Sequence, residues 1–256
     1  MTVAGTNFGK AAADYGKFRA GFPDSIFDRL ARFDVGVPGQ VVADLGTGTG
    51  TLARGFARRG CVVTGLDPDA RMIEQAMQLD REAGVDVSYT QATAESTGLG
   101  SAFADVMTAG QCWHWFDRPR AIREVVRVLK PGGRLVIAHF DWLPHAGNMV
   151  EATEQLIRHH NPNWDLHGGM GMYPQWLPDL SSAGMRGIET FSYEVDVPYT
   201  PEAWRGRIRA SAGVAALDAA GVQQFDAELA SLLSTRFPSA LLDVPHRIFA
   251  IIAHTA

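Results

Sequence analysis

A glycine-rich turn constrains the fold of this chain more than any other feature of its sequence. The apolar run 41–45 leads into Gly46, Gly48 and Gly50, and a segment with helix-type periodicity begins at Thr51. This order predicts a strand, a tight loop and a helix. Glycines in such a loop let the backbone turn sharply and approach a ligand closely. We therefore expect an α/β fold with a ligand site at this loop.

Short apolar runs alternate with amphipathic segments from about residue 40 to residue 140. Strand-like runs occupy residues 41–45, 62–66, 87–91, 105–109 and 134–138. Helices are predicted at 51–59, after the N-cap candidate Asp69, and at 117–130, where Asp117 is the N-cap candidate and Pro119 lies in the first turn. Near-continuous apolar strands separated by helices predict a parallel sheet covered on both faces.

Length and composition favour one domain with additions. The chain has 256 residues, of which 46% are apolar and 20% charged, a composition typical of an ordered globular protein. We expect a doubly wound, mostly parallel seven-stranded sheet with a Rossmann-like arrangement and a helical, aromatic cap. The expected parts are a core of residues 36–140 with strands 186–198 and 245–254, a cap of residues 141–185 and 199–243, and an N-terminal lid of residues 1–35.

Charge and residue spacing argue against several classes of protein. The formal net charge of −5 disfavours a nucleic-acid partner, which usually requires a basic surface. Apolar runs are too short to span a bilayer, so we expect a soluble cytoplasmic protein without a membrane partner. Cys61 and Cys112 lie among apolar neighbours and are expected in the core. His159 and His160 cannot share one helix face, so no metal site is expected.

Two aspartates near the glycine loop indicate which nucleotide it binds. The spacing is G-x-G-x-G, whereas the dinucleotide fingerprint is G-x-G-x-x-G. Asp44, two positions before Gly46, would repel a pyrophosphate but suits a ligand with an ammonium and a sulfonium. Asp67, at the end of the second strand, can accept hydrogen bonds from both ribose hydroxyls. These features favour S-adenosylmethionine, although Asp44 could instead be only a helix- or turn-capping carboxylate, and Asp67 only the N-cap of the next helix.

The same segments resemble the class I S-adenosylmethionine-dependent methyltransferases. The resemblance covers about 100 residues and is carried by V-V-A-D-L-G-T-G-T-G (41–50), G-L-D-P (65–68), A-T-A-E (92–95), A-D-V-M-T-A-G-Q-C-W-H-W-F (104–116) and V-L-K-P-G-G-R-L (128–135). Residues 109–117 are similar to the small-molecule branch that includes trans-aconitate methyltransferases.

The resemblance implies a set of cofactor-binding residues. For the methionine part they are Asp44, Gly46, Thr47 and Gly48; for the ribose, Asp67; for the adenine, Pro68, Thr93, Ala94 and Glu95; for the floor beside the methyl group, Gly110 and Gln111; and for closure over the cofactor, Tyr15 and Arg19. Glu95 could instead be a solvated loop charge and Arg19 a surface cation.

The acceptor side is less defined by the sequence. His114 is the candidate general base, with the alternative that it is a hydrogen-bonded structural histidine, and His139, Asp141 and His167 are further candidates. Substrate-pocket candidates are Trp113, Trp115, Trp142, Tyr173 and Arg209. The aromatic residues could equally pack in the core, and Arg209 could lie on a solvated face or bind an acceptor carboxylate.

The sequence thus predicts a methyltransferase that transfers a methyl group to a small-molecule acceptor, such as a carboxylate or hydroxyl oxygen, by in-line displacement. A carboxylate acceptor is already ionised and needs no general base. Two alternatives remain open: a nicotinamide-dependent oxidoreductase, and a non-catalytic protein that binds the cofactor as a ligand or partners another subunit.

Overall fold

The computed structural model describes residues 21–256 and contains a seven-stranded sheet in the order β3-β2-β1-β4-β5-β7-β6. The strands are β1 Val41–Leu45, β2 Val62–Asp67, β3 Ser88–Gln91, β4 Ala104–Gly110, β5 Leu129–Trp142, β6 Arg186–Tyr199 and β7 Leu242–His254. All seven strands were expected from the sequence, with ends that differ by a few residues.

The sheet is mixed rather than purely parallel. Strands β1 to β5 pair in parallel, as the alternation of strands and helices predicted. Strand β7 runs the other way. The Leu143 N–H donates to the Pro245 carbonyl at 2.8 Å and the Thr255 N–H to the Gly133 carbonyl at 3.0 Å, so residue numbers rise along β5 as they fall along β7. The spacing of apolar residues does not depend on the direction of a strand, so the sequence did not predict that β7 is antiparallel.

Strands β6 and β7 are also antiparallel to each other. Arg247 of β7 forms an ion pair with Glu194 of β6. Further along β7, the His254 ring lies 2.7 Å from the point where a Cβ on Gly187 would sit. The later residue of β7 thus faces the earlier residue of β6, which places β7 antiparallel to both of its neighbours.

Helices connect and flank these strands. They are α1 Asp24–Ala31, α2 Thr51–Ala57, α3 Ala70–Ala83, α4 Arg118–Val128, α5 Met149–His160, α6 Leu177–Ser182, α7 Pro201–Arg209, α8 Ala212–Ala215 and α9 Ala219–Arg236, with 3-10 turns at Trp113–Trp115 and Pro174–Trp176. Within residues 21–256, none of these helices combines the length and apolar character that crossing a bilayer requires.

Two predicted helix starts are confirmed. The Asp69 side chain accepts a hydrogen bond from the Arg71 N–H and begins α3. The Asp117 side chain accepts from the Arg120 N–H and begins α4, with Pro119 in its first turn. Helix α4 ends at Val128, two residues before the predicted end, because Leu129 already pairs with Ala104 in the sheet.

The described chain divides into two compact units. We call residues 21–140, 173–192 and 248–256 the core unit, and residues 141–172 and 193–247 the accessory unit. The core unit buries apolar residues of β1, β4, β5 and α4, together with Trp176 and Leu180. The accessory unit has its own core, in which Trp204, Phe225 and Leu229 are fully buried. Residues 173–185, expected in the cap, therefore belong to the core unit. The single-domain organisation stays a prediction.

Candidate functional site

The carboxyl ends of β1, β2 and β4 meet at one edge of the sheet. Leu45 pairs with Leu66 on one side and with Ala109 on the other. The glycine loop after β1, here residues 46–50, therefore emerges beside Asp67 and Gly110. Ligands of parallel α/β sheets bind at this edge, so the predicted cofactor residues are gathered where a ligand can reach them.

The glycine loop needs its glycines for conformation and for space. Gly46, Gly48 and Gly50 have φ values of 56°, 56° and 77°, a left-handed region that side chains with a Cβ disfavour. A Cβ on Gly50 would lie 2.5 Å from the Tyr89 hydroxyl, and one on Gly46 would lie 3.0 Å from Cys112 Sγ. Neighbouring side chains thus pack closely against the loop, and its left-handed φ values fix the path of the backbone.

Asp67 ties the end of β2 to the glycine loop. One carboxylate oxygen accepts from the Gly48 N–H at 2.9 Å and the other from the Asp69 N–H at 2.9 Å. Burial raises the pKa of Asp67. Helix α3 is capped by Asp69, so Asp67 is not its N-cap. Each carboxylate oxygen can accept a second hydrogen bond, which leaves acceptor capacity for a ligand hydroxyl.

Asp44 is buried beneath the loop. Its two oxygens accept hydrogen bonds from the hydroxyls of Thr47, at 2.7 Å, and Thr108, at 2.5 Å. Burial, with a smaller contribution from the negative charge of Asp67, raises the pKa of Asp44 to about 6. Asp44 therefore accepts hydrogen bonds within the turn, as the capping interpretation predicts. It also places negative charge beside the loop, as the cofactor-binding interpretation predicts.

The predicted adenine residues lie in the turns after β2 and β3. Ala94 is buried, and Thr93 forms a short backbone bridge with Ser96. The Glu95 carboxylate accepts from the Asp117 N–H at 2.8 Å and so fastens this turn to the start of α4. Glu95 is therefore more than a solvated charge. Pro68 is exposed, and its carbonyl accepts from the Gln91 side chain at 3.0 Å.

Gly110 and Gln111 form a constrained end to β4. A Cβ on Gly110 would lie 2.6 Å from Leu52 Cδ1, so a larger residue does not fit. Gln111 has a φ of 58°, unusual for a residue with a side chain. Its N–H donates to the Ala138 carbonyl at 2.8 Å, and its side-chain amide donates to the Phe140 carbonyl. Both contacts hold the predicted floor against β5.

The aromatic residues after β4 divide between the core and the surface. Trp113 is fully buried, and its indole N–H donates to Asp179 at 3.0 Å, which places it in the core rather than on a pocket wall. His114 and Trp115 are exposed neighbours with ring centroids 4.5 Å apart. These two remain accessible to an acceptor, and the roles of His114 and Trp115 stay predictions.

A second group of rings surrounds His139 on β5. His139 is buried, with ring centroids 4.2 Å from Tyr173, 4.7 Å from Trp176 and 5.6 Å from His114. Tyr173 itself stacks on Trp176 with centroids 4.3 Å apart. Tyr173 is thus partly committed to packing, and its predicted role in the substrate pocket stays untested.

The remaining acceptor candidates lie in the accessory unit. The Trp142 indole N–H donates to Glu154 at 2.8 Å, and the Arg207 guanidinium lies 4.8 Å from the centre of the Trp142 ring. Arg209 lies 2.8 Å from Asp226, which also pairs with Arg205. That ion pair argues against Arg209 as the anchor of an acceptor carboxylate. His167 is exposed and Asp141 half-buried.

Tyr15 and Arg19 fall outside the described residues. Between residues 21 and 256, no three His, Cys, Asp or Glu side chains are grouped as a metal site would require. Sequence reasoning missed Thr108, although a polar residue near the end of an apolar strand is a usable signal. It also missed Arg54 of α2, which forms an ion pair with Asp80, 26 residues further along the chain.

The comparison with known families covers the same part of the chain. Residues 43–137 match a family model described as a methyltransferase domain. This range begins within β1 and ends within β5, so it contains Asp44, the glycine loop, Asp67, Glu95 and Gln111.

Curated relatives match over part of their length. An uncharacterized methyltransferase of Mycobacterium tuberculosis is 36% identical over 158 residues, which is 59% of this chain and 62% of the relative. A ubiquinone/menaquinone biosynthesis C-methyltransferase of Vibrio vulnificus is 37% identical over 110 residues, 40% of this chain and 42% of the relative. The chain thus spans less than two thirds of the length of the curated relatives it matches.

A solved structure matches over nearly the whole chain. It is a putative type II methyltransferase from Anaeromyxobacter dehalogenans, with a TM-score of 0.66 and 25% sequence identity. The match covers 93% of this chain and 97% of that structure.

Proposed function

We propose that this chain, which carries a methyltransferase domain over residues 43–137, is an S-adenosylmethionine-dependent methyltransferase acting on a small-molecule acceptor. The cofactor of the domain is S-adenosylmethionine. The methyltransferase match favours this function over a nicotinamide-dependent oxidoreductase.

The pair of buried carboxylates at the glycine loop carries the proposal. Asp44 and Asp67 are both buried, interact with each other electrostatically and have pKa values raised by burial. Two neighbouring negative charges in a site of low dielectric are costly unless a positive ligand compensates them. S-adenosylmethionine brings an ammonium and a sulfonium, whereas the pyrophosphate of a dinucleotide would add negative charge. The site therefore suits a cationic nucleoside.

The contacts of the site suggest how the cofactor is held. Asp67 retains acceptor capacity for the ribose hydroxyls while it keeps the Gly48 N–H in place. Asp44 acts on the methionine part through Thr47, whose hydroxyl it fixes, and through its charge. Ala94 and Glu95 would flank the adenine, and Gly110 and Gln111 would form the floor beside the methyl group.

Methyl transfer needs little beyond alignment and a dry site. The acceptor atom forms a bond to the methyl carbon as the bond from carbon to sulfur breaks, and sulfur leaves as a neutral thioether. Holding nucleophile, methyl group and sulfur in line can contribute about 7–11 kcal/mol. The rigid floor at Gly110 and Gln111 supports that alignment by fixing one side of the site.

A carboxylate or hydroxyl oxygen is the acceptor class we propose. A carboxylate is ionised at neutral pH, so it can accept the methyl group without a base. A hydroxyl would need one, and the exposed His114 on the turn after β4 is the candidate. In that case a His114→Gln variant keeps cofactor affinity and loses turnover.

Calorimetry followed by product analysis tests the proposal. Titration of the full chain with S-adenosylmethionine, with its demethylated product S-adenosylhomocysteine and with NAD is expected to show binding of the first two only. Mass spectrometry of a panel of carboxylic acids, alcohols and amines incubated with chain and cofactor then identifies a product heavier by one methylene. Preferential binding of NAD would support the oxidoreductase. Cofactor binding with no methylated product in any class would support a non-catalytic binding protein.

A further inference from the structure

A buried polar network lies directly under the glycine loop. Arg54 of α2 forms an ion pair with Asp80 of α3, with Nε 2.7 Å from the nearer carboxylate oxygen. The other Asp80 oxygen accepts from the Tyr89 hydroxyl of β3 at 2.7 Å. The Arg54 and Asp80 side chains are only 12% and 6% exposed, so solvent screens this pair little.

The network reaches the loop at two points. Arg54 Nη2 donates to the Thr49 carbonyl at 2.8 Å. The Tyr89 hydroxyl lies 2.5 Å from the point where a Cβ on Gly50 would sit, so it closes the space beneath that glycine. From the other side, Asp67 holds the Gly48 N–H. Groups from β2, α2 and β3 thus contact the loop at the successive residues Gly48, Thr49 and Gly50.

A buried ion pair contributes little net stability, even where its network joins three elements of the fold. Removing two charges from water costs free energy that their attraction only partly returns, and apolar residues of similar volume are often as stabilising. Such networks add little net stability, and some of them specify a conformation instead. The conformation specified here is that of Thr49 and Gly50, because the Arg54 guanidinium fixes the Thr49 carbonyl.

We propose that Arg54, Asp80 and Tyr89 are positioning residues that set the glycine loop for cofactor binding. The inference rests on the proposed function, because the ligand of the loop is taken to be S-adenosylmethionine. The three residues touch no ligand themselves and act through the backbone of residues 49 and 50. Small displacements of a binding loop weaken affinity even when the fold is intact.

Replacing the whole network separates positioning from stability. In the variant Arg54→Met/Asp80→Leu/Tyr89→Phe, similar volumes are kept and no charge is left unpaired, while the Thr49 and Ala76 carbonyls lose the Arg54 donor. We expect a melting temperature near that of the parent and about tenfold weaker binding of S-adenosylhomocysteine by calorimetry. A purely structural network would give parental affinity once stability is restored. A folded triple variant with parental affinity would overturn the inference.

The single variant Tyr89→Phe decides the question if the triple variant does not fold. It removes one hydroxyl and leaves the Arg54–Asp80 ion pair in place. We expect about threefold weaker binding of S-adenosylhomocysteine, in line with the loss of one hydrogen bond. Affinity equal to that of the parent would then count against positioning.

Asp105→Asn is the matched control. Asp105 also pairs with a cation, Lys130 Nζ at 2.7 Å, and accepts a backbone N–H, that of Val41, at 2.8 Å. It lies at the amino ends of β1, β4 and β5, at the opposite edge of the sheet from the glycine loop. We expect reduced stability with unchanged cofactor affinity.

Amide hydrogen exchange of the unliganded chain keeps this test apart from the proposed function. We expect the amides of residues 47–53 to exchange faster in the triple variant than in the parent, while those of Asp105→Asn match the parent. If the parent binds neither form of the cofactor, the proposed function fails, and unchanged exchange at 47–53 would overturn the positioning inference on its own. If the parent binds the cofactor, the affinities of the variants for S-adenosylhomocysteine decide whether the three residues position the loop.

Discussion

The carboxylate of Asp67 accepts a hydrogen bond from the Gly48 N–H at 2.9 Å, across 19 residues of sequence. This contact joins the end of β2 to the middle of the glycine loop. One acidic side chain thus shapes the loop and keeps acceptor capacity for a ribose. Its removal affects both properties, which makes it the most direct test of the site.

The variant Asp67→Ala is expected to weaken binding of S-adenosylhomocysteine by about 1–3 kcal/mol, because ribose hydroxyls and the Gly48 N–H lose their acceptor. Calorimetry measures the change. Asp69→Ala is the control, since Asp69 caps α3 through the Arg71 N–H and holds no part of the loop. It should lower stability and leave affinity unchanged. Equal loss of affinity in both variants would contradict the assigned ribose contact.

Binding of S-adenosylmethionine is expected to strengthen about tenfold between pH 5 and pH 7. The pKa of Asp44 is raised to about 6 by burial, so its carboxylate gains negative charge over this range and attracts a cation more strongly. Dissociation constants measured by calorimetry at several pH values check this expectation.

The demethylated product and an isosteric variant provide the controls for that pH dependence. S-adenosylhomocysteine lacks the sulfonium charge, so its affinity should change less with pH. Asp44→Asn should remove the part of the dependence that Asp44 causes. Identical pH profiles for the two ligands would show that charge at Asp44 does not select the sulfonium.

Two glycines of the loop are expected to differ in their tolerance of alanine. Gly48→Ala should lower the free energy of unfolding by about 1–2 kcal/mol through its positive φ alone, because the nearest side chain lies 3.6 Å from the added Cβ. Gly50→Ala should cost about 2–4 kcal/mol, because the Tyr89 hydroxyl must also move away from Asp80. Denaturant unfolding compares them, and equal losses would show that Tyr89 is easily displaced.

His246 is expected to make the protein less stable in acid. Burial lowers the pKa of His246 to about 4, and its Nδ1–H donates to the Val244 carbonyl at 2.8 Å. The unfolded chain binds the proton near pH 6.5, so this contribution is complete above pH 6.5 and declines by about 3 kcal/mol as pH falls to 4.

Urea unfolding at pH values from 4 to 7.5 measures that decline. His246→Gln should flatten the curve, whereas the exposed His167→Gln should follow the parent.

Asp44 acts in the opposite direction, because its raised pKa favours the folded state as pH falls from about 6 to about 4. Asp44→Asn should therefore steepen the loss of stability in acid, and a steeper loss in His246→Gln would refute the assignment.

Much of the site was predictable because its signals are local. The glycine loop, the N-caps Asp69 and Asp117, and strands β1 to β5 follow from turn chemistry and from apolar periodicity within short windows. The placement of Asp67 beside the loop also followed, since parallel strands bring their carboxyl ends to one edge. These features depend on residues that are neighbours in sequence or on a general rule of sheet topology.

The sequence by itself determined the α/β core, the site at its edge and the acidic character of that site. Only the tertiary structure decided that β7 runs antiparallel, that Thr108 lies against Asp44 and that Asp226 pairs with Arg209. It also decided that Arg54, Asp80 and Tyr89 meet under the loop. Each of these features depends on contacts between residues that are separated in the sequence. Such contacts produce no local periodicity or spacing, because the packing of the whole chain selects them.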